Sequence, residues 1–388
     1  MKVRLNQWIL AACCLTLLSN PAVAGKPGGG GNPPPPPSIS TRFRVDLITS
    51  QQGPVAVRGF NNLGTIVGHL ESDPIRAYMF HAPTQTYYDF NSDAALQPLR
   101  DQLEVLLGSG WLFGSARGIN DLGQVVGRVD NWLTGEQRGF ALDTFNLSPP
   151  VNWELRLLPE FPGLRSRGDS IASNGRVLGQ TYDYTSRTVA LFICNPWESN
   201  ATQMIPLSIL FQGNVRMNSY GDLAGISSDL TLFVDVNPTD GLPNRQQVPN
   251  VADCVNLGGI NDLRELAAYG RLKTGPKRSD WTSRSALRIS SQSEVVGSGY
   301  TYDINGNGDI AFNENYLAYN GSPADSKQSV KVLDLIDNND PFKPLFAANT
   351  FRVTEINDRD NSRFGQMAGE IQTVETGKVG FVLTPIAE

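Results

Sequence analysis

The 388-residue chain reads as an all-β protein, a β-propeller of seven blades with six as the alternative count, and three observations predict it. A ten-residue hairpin signature returns along the whole chain. Its spacing is near the roughly 40 to 50 residues of one four-stranded blade. Short β-branched runs are punctuated by glycine and other turn residues, and no long stretch carries helical periodicity.

The signature is clearest at Gly118-Ile119-Asn120-Asp121-Leu122-Gly123-Gln124-Val125-Val126-Gly127. A strand ends at Ile119, Asn120, Asp121 and Gly123 supply a turn that tolerates positive φ, and a second strand leaves through Val125 and Val126. Close copies begin at Gly59 and Ser170, and looser ones at Met217, Ile260 and Ile289. A seventh, Ile356-Asn357-Asp358-Arg359, carries an insertion before Gly365-Gln366-Met367-Ala368-Gly369. Counted from positions 60, 119, 171, 217, 260, 289 and 356, the steps are 59, 52, 46, 43, 29 and 67 residues. The step of 29 is too short for four ordinary strands, so either that blade is trimmed or the fifth and sixth hairpins share one. After most hairpins comes a small residue followed by larger apolar ones, as in Ala77-Tyr78-Met79-Phe80, Gly139-Phe140-Ala141-Leu142, Ala190-Leu191-Phe192 and Gly380-Phe381-Val382-Leu383, which reads as a third strand.

The chain ends just after such a third strand. Residues 42–48, Arg-Phe-Arg-Val-Asp-Leu-Ile, resemble 330–336, which precede the seventh hairpin and read as an outer strand. The N-terminal strand is therefore expected to complete the last blade and close the ring, removing an open sheet edge.

This pairing of hairpin and third strand resembles the HAF-family bacterial extracellular repeat, over roughly residues 43 to 385. The family takes its name from a His-Ala-Phe run at the head of the third strand. Here Arg76, Arg138 and Val379 stand in place of that histidine, so no role of it carries over. The resemblance implies a secreted, propeller-like repeat protein whose biochemical role is generally unassigned.

Upstream of the repeats, residues 1–24 have a basic start at Lys2 and Arg4, an apolar middle from Trp8 to Leu18, and Ala22-Val23-Ala24 before Gly25, the pattern of a cleaved signal peptide. A competing pattern, Leu10-Ala11-Ala12-Cys13, would acylate Cys13, but its apolar segment is short and follows Asn6 and Gln7. Residues 25–40 are a glycine run and then prolines, a linker to the repeat domain at 41–388. Export to the periplasm or beyond is expected, with no transmembrane segment after cleavage and a monomeric state.

The cleaved chain would hold 30 basic against 38 acidic residues, a net charge of −8, and no block of Lys or Arg stands out. Nucleic acid is therefore a poor partner. Cys194 and Cys254 remain, either as a disulfide across neighbouring blades or as two buried thiols.

The sharpest chemical motif is Asp303-Ile304-Asn305-Gly306-Asn307-Gly308-Asp309-Ile310-Ala311-Phe312-Asn313-Glu314, which fits a twelve-residue calcium loop. Asp303, Asn305 and Asn307 would give side-chain oxygens, Asp309 its carbonyl and Glu314 a bidentate carboxylate. It would sit as an insertion between second and third strands, and Ca2+ there would be a structural clip. The alternative is an Asn/Gly turn cluster without metal.

Other groups read as structure. His69 and His81 lack Cys or His companions for zinc. Asp121, Asp262 and Asp358 repeat, but each lies in a hairpin turn. Trp111, Trp132, Trp153, Trp197 and Trp281 would stack on sugars or fill between blades. The expected function is a calcium-stabilised binding or scaffold module for a protein or carbohydrate ligand. The alternative is a hydrolase of an extracellular polymer, which requires acids from different blades to converge at the central channel.

Overall fold

The computed structural model describes residues 41–386, except 51, 146, 148–149, 199–214, 228, 236–244, 278, 292, 319–328, 359–364 and 375–376. The expected leader, the Cys13 site and the linker at 25–40 lie outside the described residues. From Thr41 onward the chain forms one compact unit. It is a seven-bladed β-propeller, with seven small antiparallel sheets.

Strand β1 (Phe43–Ile48) comes first in sequence but belongs to the last blade. Blade I holds β2 (Val55–Phe60), β3 (Thr65–Leu70), β4 (Arg76–His81) and β5 (Thr86–Asp89). Helix α1 (Gln97–Leu107) leads to blade II, with β6 (Trp111–Ile119), β7 (Gln124–Asn131), β8 (Gln137–Asp143) and β9 (Glu154–Leu157). Blade III has three strands among the described residues, β10 (Arg165–Ile171), β11 (Val177–Asp183) and β12 (Thr188–Cys194). Blade IV follows with β13 (Val215–Met217), β14 (Leu223–Ile226), β15 (Leu232–Asp235) and β16 (Arg245–Gln247). Blade V has β17 (Val251–Ile260), β18 (Leu266–Leu272), β19 (Ser285–Ile289) and β20 (Glu294–Gly297), and blade VI has β21 (Thr301–Ile304), β22 (Ile310–Phe312), β23 (Tyr316–Ala318) and β24 (Ser329–Lys331). Short helices α2 (Val332–Leu335) and α3 (Lys343–Ala348) precede blade VII, with β25 (Thr350–Ile356), β26 (Met367–Thr373) and β27 (Gly377–Pro385).

Ring closure is as the sequence predicts: β1 pairs antiparallel with β27, Phe43 opposite Pro385 and Ile48 opposite Gly380. The sixth hairpin is not where the sequence places it. Ile289–Gly297 is the β19–β20 hairpin inside blade V, and the sixth repeat begins at Ile304, within the expected calcium loop. With Ile304 in the series the steps of 29 and 67 become 44 and 52, and the short blade disappears. The 303–314 segment is therefore the first hairpin of blade VI and the start of the next turn, not an insertion between second and third strands.

One packing device accounts for two features of the repeat. Gly127, the closing glycine, lies opposite Phe140 of the third strand, and a Cβ there would stand 2.0 Å from the Ser115 carbonyl and 2.8 Å from the Phe140 ring. Gly68 with Tyr78, Gly179 with Phe192 and Gly369 with Phe381 repeat the pair. The missing side chain is the seat of the neighbouring ring. These rings are fully buried and form the cores between blades, joined in blades I and II by Phe90, Phe113, Trp153 and the apolar side of α1 at Leu99 and Leu103.

Cys194 and Cys254 do not form a disulfide. Blade IV stands between their strands, and each packs in a separate core, one with Phe192 and the other with Leu257. Burial pushes both thiols up to about 12, so they are inert packing groups.

Candidate functional site

The first strand of each blade lines the central channel, and its hairpin turn sets what we term the lower end. The turn asparagines govern that end. In Asn120 the side-chain oxygen accepts from the Leu122 and Gln124 amides at 3.1 and 2.9 Å. Its Nδ2 donates to Gln124 Oε1 and to the Ala172 carbonyl of the next blade, both at 2.9 Å. One buried side chain thus makes four hydrogen bonds, closing its own turn and tying two blades together. Asn61, Asn218, Asn261, Asn305 and Asn357 also donate to the next carbonyl round the ring. Only blade III departs, with Ala172 in place of the asparagine; there the Ser173 amide donates to the Ser219 carbonyl at 2.9 Å.

The repeated acids belong to the same end. Asp121 accepts from the Asn62 amide, Asp262 from the Ser219 amide and Asp358 from the Gly306 amide, each reaching across to a neighbouring blade. They are inter-blade clasps as well as turn residues.

The same geometry places the five residues expected to hold calcium. Asn305 is the blade VI member of the asparagine ring, its oxygen taken by the Asn307 and Asp309 amides and its Nδ2 donating to Asp309 and to the Asn357 carbonyl. Asp309 therefore occupies the position of Gln124 in blade II, and Asn307 is an exposed turn tip. Asp303 accepts from the Ile356 amide at 2.8 Å, whereas the Glu314 carbonyl accepts from Val353, three residues along the same strand, about 10 Å away. The structure brings Asn305 and Asp309 together with each other; β22 separates Asp303 from Glu314. No group of three or more His, Cys, Asp or Glu able to hold a metal occurs among the described residues.

Above the turns the channel is charged. In six innermost strands the pairing skips one residue, a β-bulge at Arg58, Arg117, Asp169, Gly258, Tyr302 or Thr354, and all six line the central cavity of about 600 Å³. A bulge leaves one residue outside the ladder and re-aims it, here toward the axis. The adjacent glycines let neighbouring first strands crowd together: a Cβ on Gly118 would meet Ser170 Cα at 3.0 Å.

Five guanidiniums line this space, from Arg58, Arg117, Arg167, Arg216 and Arg352. Arg117 and Arg167 share one oxygen of Asp169, at 2.7 and 2.8 Å. Arg352 pairs with Glu370 at 3.1 Å, and Arg216 donates to the Gly258 carbonyl at 2.7 Å. Across the channel Asp303 of blade VI and Glu355 of blade VII lie among the lining residues. Burial, offset in part by amide hydrogen bonds, pushes Asp303 up to about 7, and burial with the nearby Asp303 raises Glu355 well above the carboxylate range. Both carboxyls are thus pushed toward their neutral form, which lowers the negative charge that the five guanidiniums face in the upper channel. His69 beside it is held down at about 4 by burial and then by Arg58 and Arg117, so it is neutral.

None of the five arginines stands out in the sequence. Arg58 and Arg117 share one repeat position and are bulge residues, whereas Arg167 and Arg352 lie two residues earlier, at paired positions of their strands, so no single repeat position marks the four. The tryptophans divide: Trp153 is buried, Trp197 and Trp281 lie under Arg156 and Arg271, and Trp132 is 65% exposed at the upper end.

No protein-family model and no curated protein matches the chain. Among solved structures it is similar to YCF48 bound to D1 peptide, at 11% identity and a TM-score of 0.48, covering 91% of this chain and 97% of that one. A chain of the mitotic checkpoint complex matches at 12% and 0.44, covering 95% and 99%, and the Pyrococcus horikoshii acylaminoacyl peptidase at 8% and 0.45, covering 90% of this chain and 52% of that one. Likenesses this distant carry no argument about function, and the propeller stands on the strand pairing itself.

Proposed function

We propose that the protein is a binding module of the cell exterior whose upper channel mouth takes an anionic ligand. The observation that carries this is the set of five guanidiniums, one from each of five blades, converging on one cavity, opposed by carboxyls of which two are pushed toward their neutral form. Arginine matches carboxylate and phosphate oxygens in a planar fork, and a recessed site of low dielectric strengthens each contact. The export pattern at residues 1–24 and the resemblance of the repeat to extracellular HAF-family proteins support the location. The test is calorimetric titration with galacturonate and inorganic phosphate at low and raised salt, beside Arg117→Gln. Binding that weakens with salt and falls about tenfold or more in the variant supports the reading; no binding of any anion overturns it.

A second reading, hydrolysis of a polymer, draws on one observation: acids from adjacent blades, Asp303 and Glu355, meet the same channel, and a raised carboxyl is a proton donor at neutral pH. Release of reducing ends from an acidic polysaccharide, abolished in Glu355→Gln, would favour it over simple binding.

A further inference from the structure

We propose that the ligand of the upper mouth is an acidic polysaccharide, its sugar rings resting on Trp132 and Tyr184 while its carboxylates follow a row of arginines into the channel; this rests on the anion-binding reading above. The row begins outside the cavity. Arg165 and Arg167 alternate with buried Ser166 on β10, which puts them on one side of the strand, about 7 Å apart. Below them Asp169 passes the row to Arg117.

The rim at the start of this row is aromatic. The turn after β7 carries Trp132 and Leu133, 65% and 62% exposed, and the turn after β11 carries Tyr184, 57% exposed. Both turns meet at Arg165. Its guanidinium lies over the Tyr184 ring at 3.8 Å and donates to the Tyr184 hydroxyl at 2.7 Å, and a Cβ on Gly135 of the first turn would stand 3.5 Å from its Nη2. Tyr182 packs edge-on against Tyr184 at 4.4 Å and holds the ring in place.

Large apolar side chains exposed beside a charged cleft mark an interaction surface. Flat, fixed rings suit the C–H faces of pyranose sugars, and cations at regular steps suit a stiff chain bearing one carboxylate per unit. Gln180, bonded to Arg167 at 3.1 Å, and Asp169 add the mixed donors and acceptors that sugar hydroxyls need. A small anion would use the channel and leave the rim without a role.

The full-length protein is titrated with galacturonate, its hexamer, the methyl-esterified hexamer and a hexaglutamate peptide, beside Trp132→Ala, Tyr184→Phe and Arg117→Gln. We expect the hexamer to bind at least about tenfold more tightly than the monomer and than either of the other two hexamers. Trp132→Ala should weaken the hexamer about tenfold and leave the monomer unchanged, while Arg117→Gln weakens both. Tyr184→Phe keeps the ring and should retain hexamer binding. Monomer binding with no gain for the hexamer, indifference to Trp132→Ala, or tighter binding of the peptide would each overturn the polysaccharide and leave the anion site standing. Failure of every anion to bind would overturn both.

Discussion

At the scale of single residues, the asparagine of each hairpin turn does more than permit a bend. Truncating Asn120 to Ala removes four hydrogen bonds and leaves the Ala172 carbonyl with the Gly175 amide as its remaining donor, at an expected cost of about 2 to 4 kcal/mol. Urea unfolding of the variant measures this as a lower midpoint. The turn role of these asparagines was legible from their spacing, whereas the reach of Nδ2 into the next blade was not, because sequence places turns within a blade and says nothing of the distance between blades. The same ambiguity explains Asn305: an Asn/Gly/Asp hairpin turn and a calcium loop use the same residue types for different reasons. Melting the protein with calcium and with chelator, beside Glu314→Ala, tests that motif; with Asn305 and Asp309 already bonded to each other, no shift is expected. His69 gives a pH dependence. Its unfolded form takes a proton near 6.5 and its folded form only near 4, so between these values the unfolded state binds more protons and stability falls as the medium is acidified. Thermal melts from pH 7 to 4 should show His69→Gln losing less stability than the parent over that window.

Among elements, the innermost strands hold the chemistry, and their bulges decide which side chains reach the axis. A bulge is one residue inserted in one strand, and a single sequence without the partner register does not reveal it. The second and third strands were readable because the closing glycine and the following aromatic recur, and their pairing supplies the reason they recur together. The sixth repeat was displaced because Ile289–Gly297 is a real hairpin with the same apolar-turn-glycine pattern, lying at the third and fourth strands of blade V. Gly118 tests the crowding of the innermost strands. Gly118→Ala must push Ser170 and Asp169 backbone atoms away, which should cost about 1 to 3 kcal/mol in urea unfolding and loosen the Arg117–Asp169 pair beside it.

For the whole molecule, seven blades share one axis, and the N-terminal strand is held by the C-terminal one through six paired positions. The sequence carried this closure because the last blade lacked a fourth strand and an orphan strand stood at the other end. What it could not carry was the site, which exists only when residues more than 290 positions apart, such as Arg58 and Arg352, face one cavity. The closure also means that the order of blades in space does not depend on where translation starts. Phe43 and Pro385 are direct neighbours, so a short glycine linker could join the two ends and new ends could be cut between blades III and IV, where Ala172 leaves the asparagine ring unlinked. Such a circular permutant, without residues 1–40, should fold cooperatively and keep the arginine-lined channel. The same cut between blades I and II would sever a joint spanned by the Asn61 clasp and should melt lower in a calorimeter.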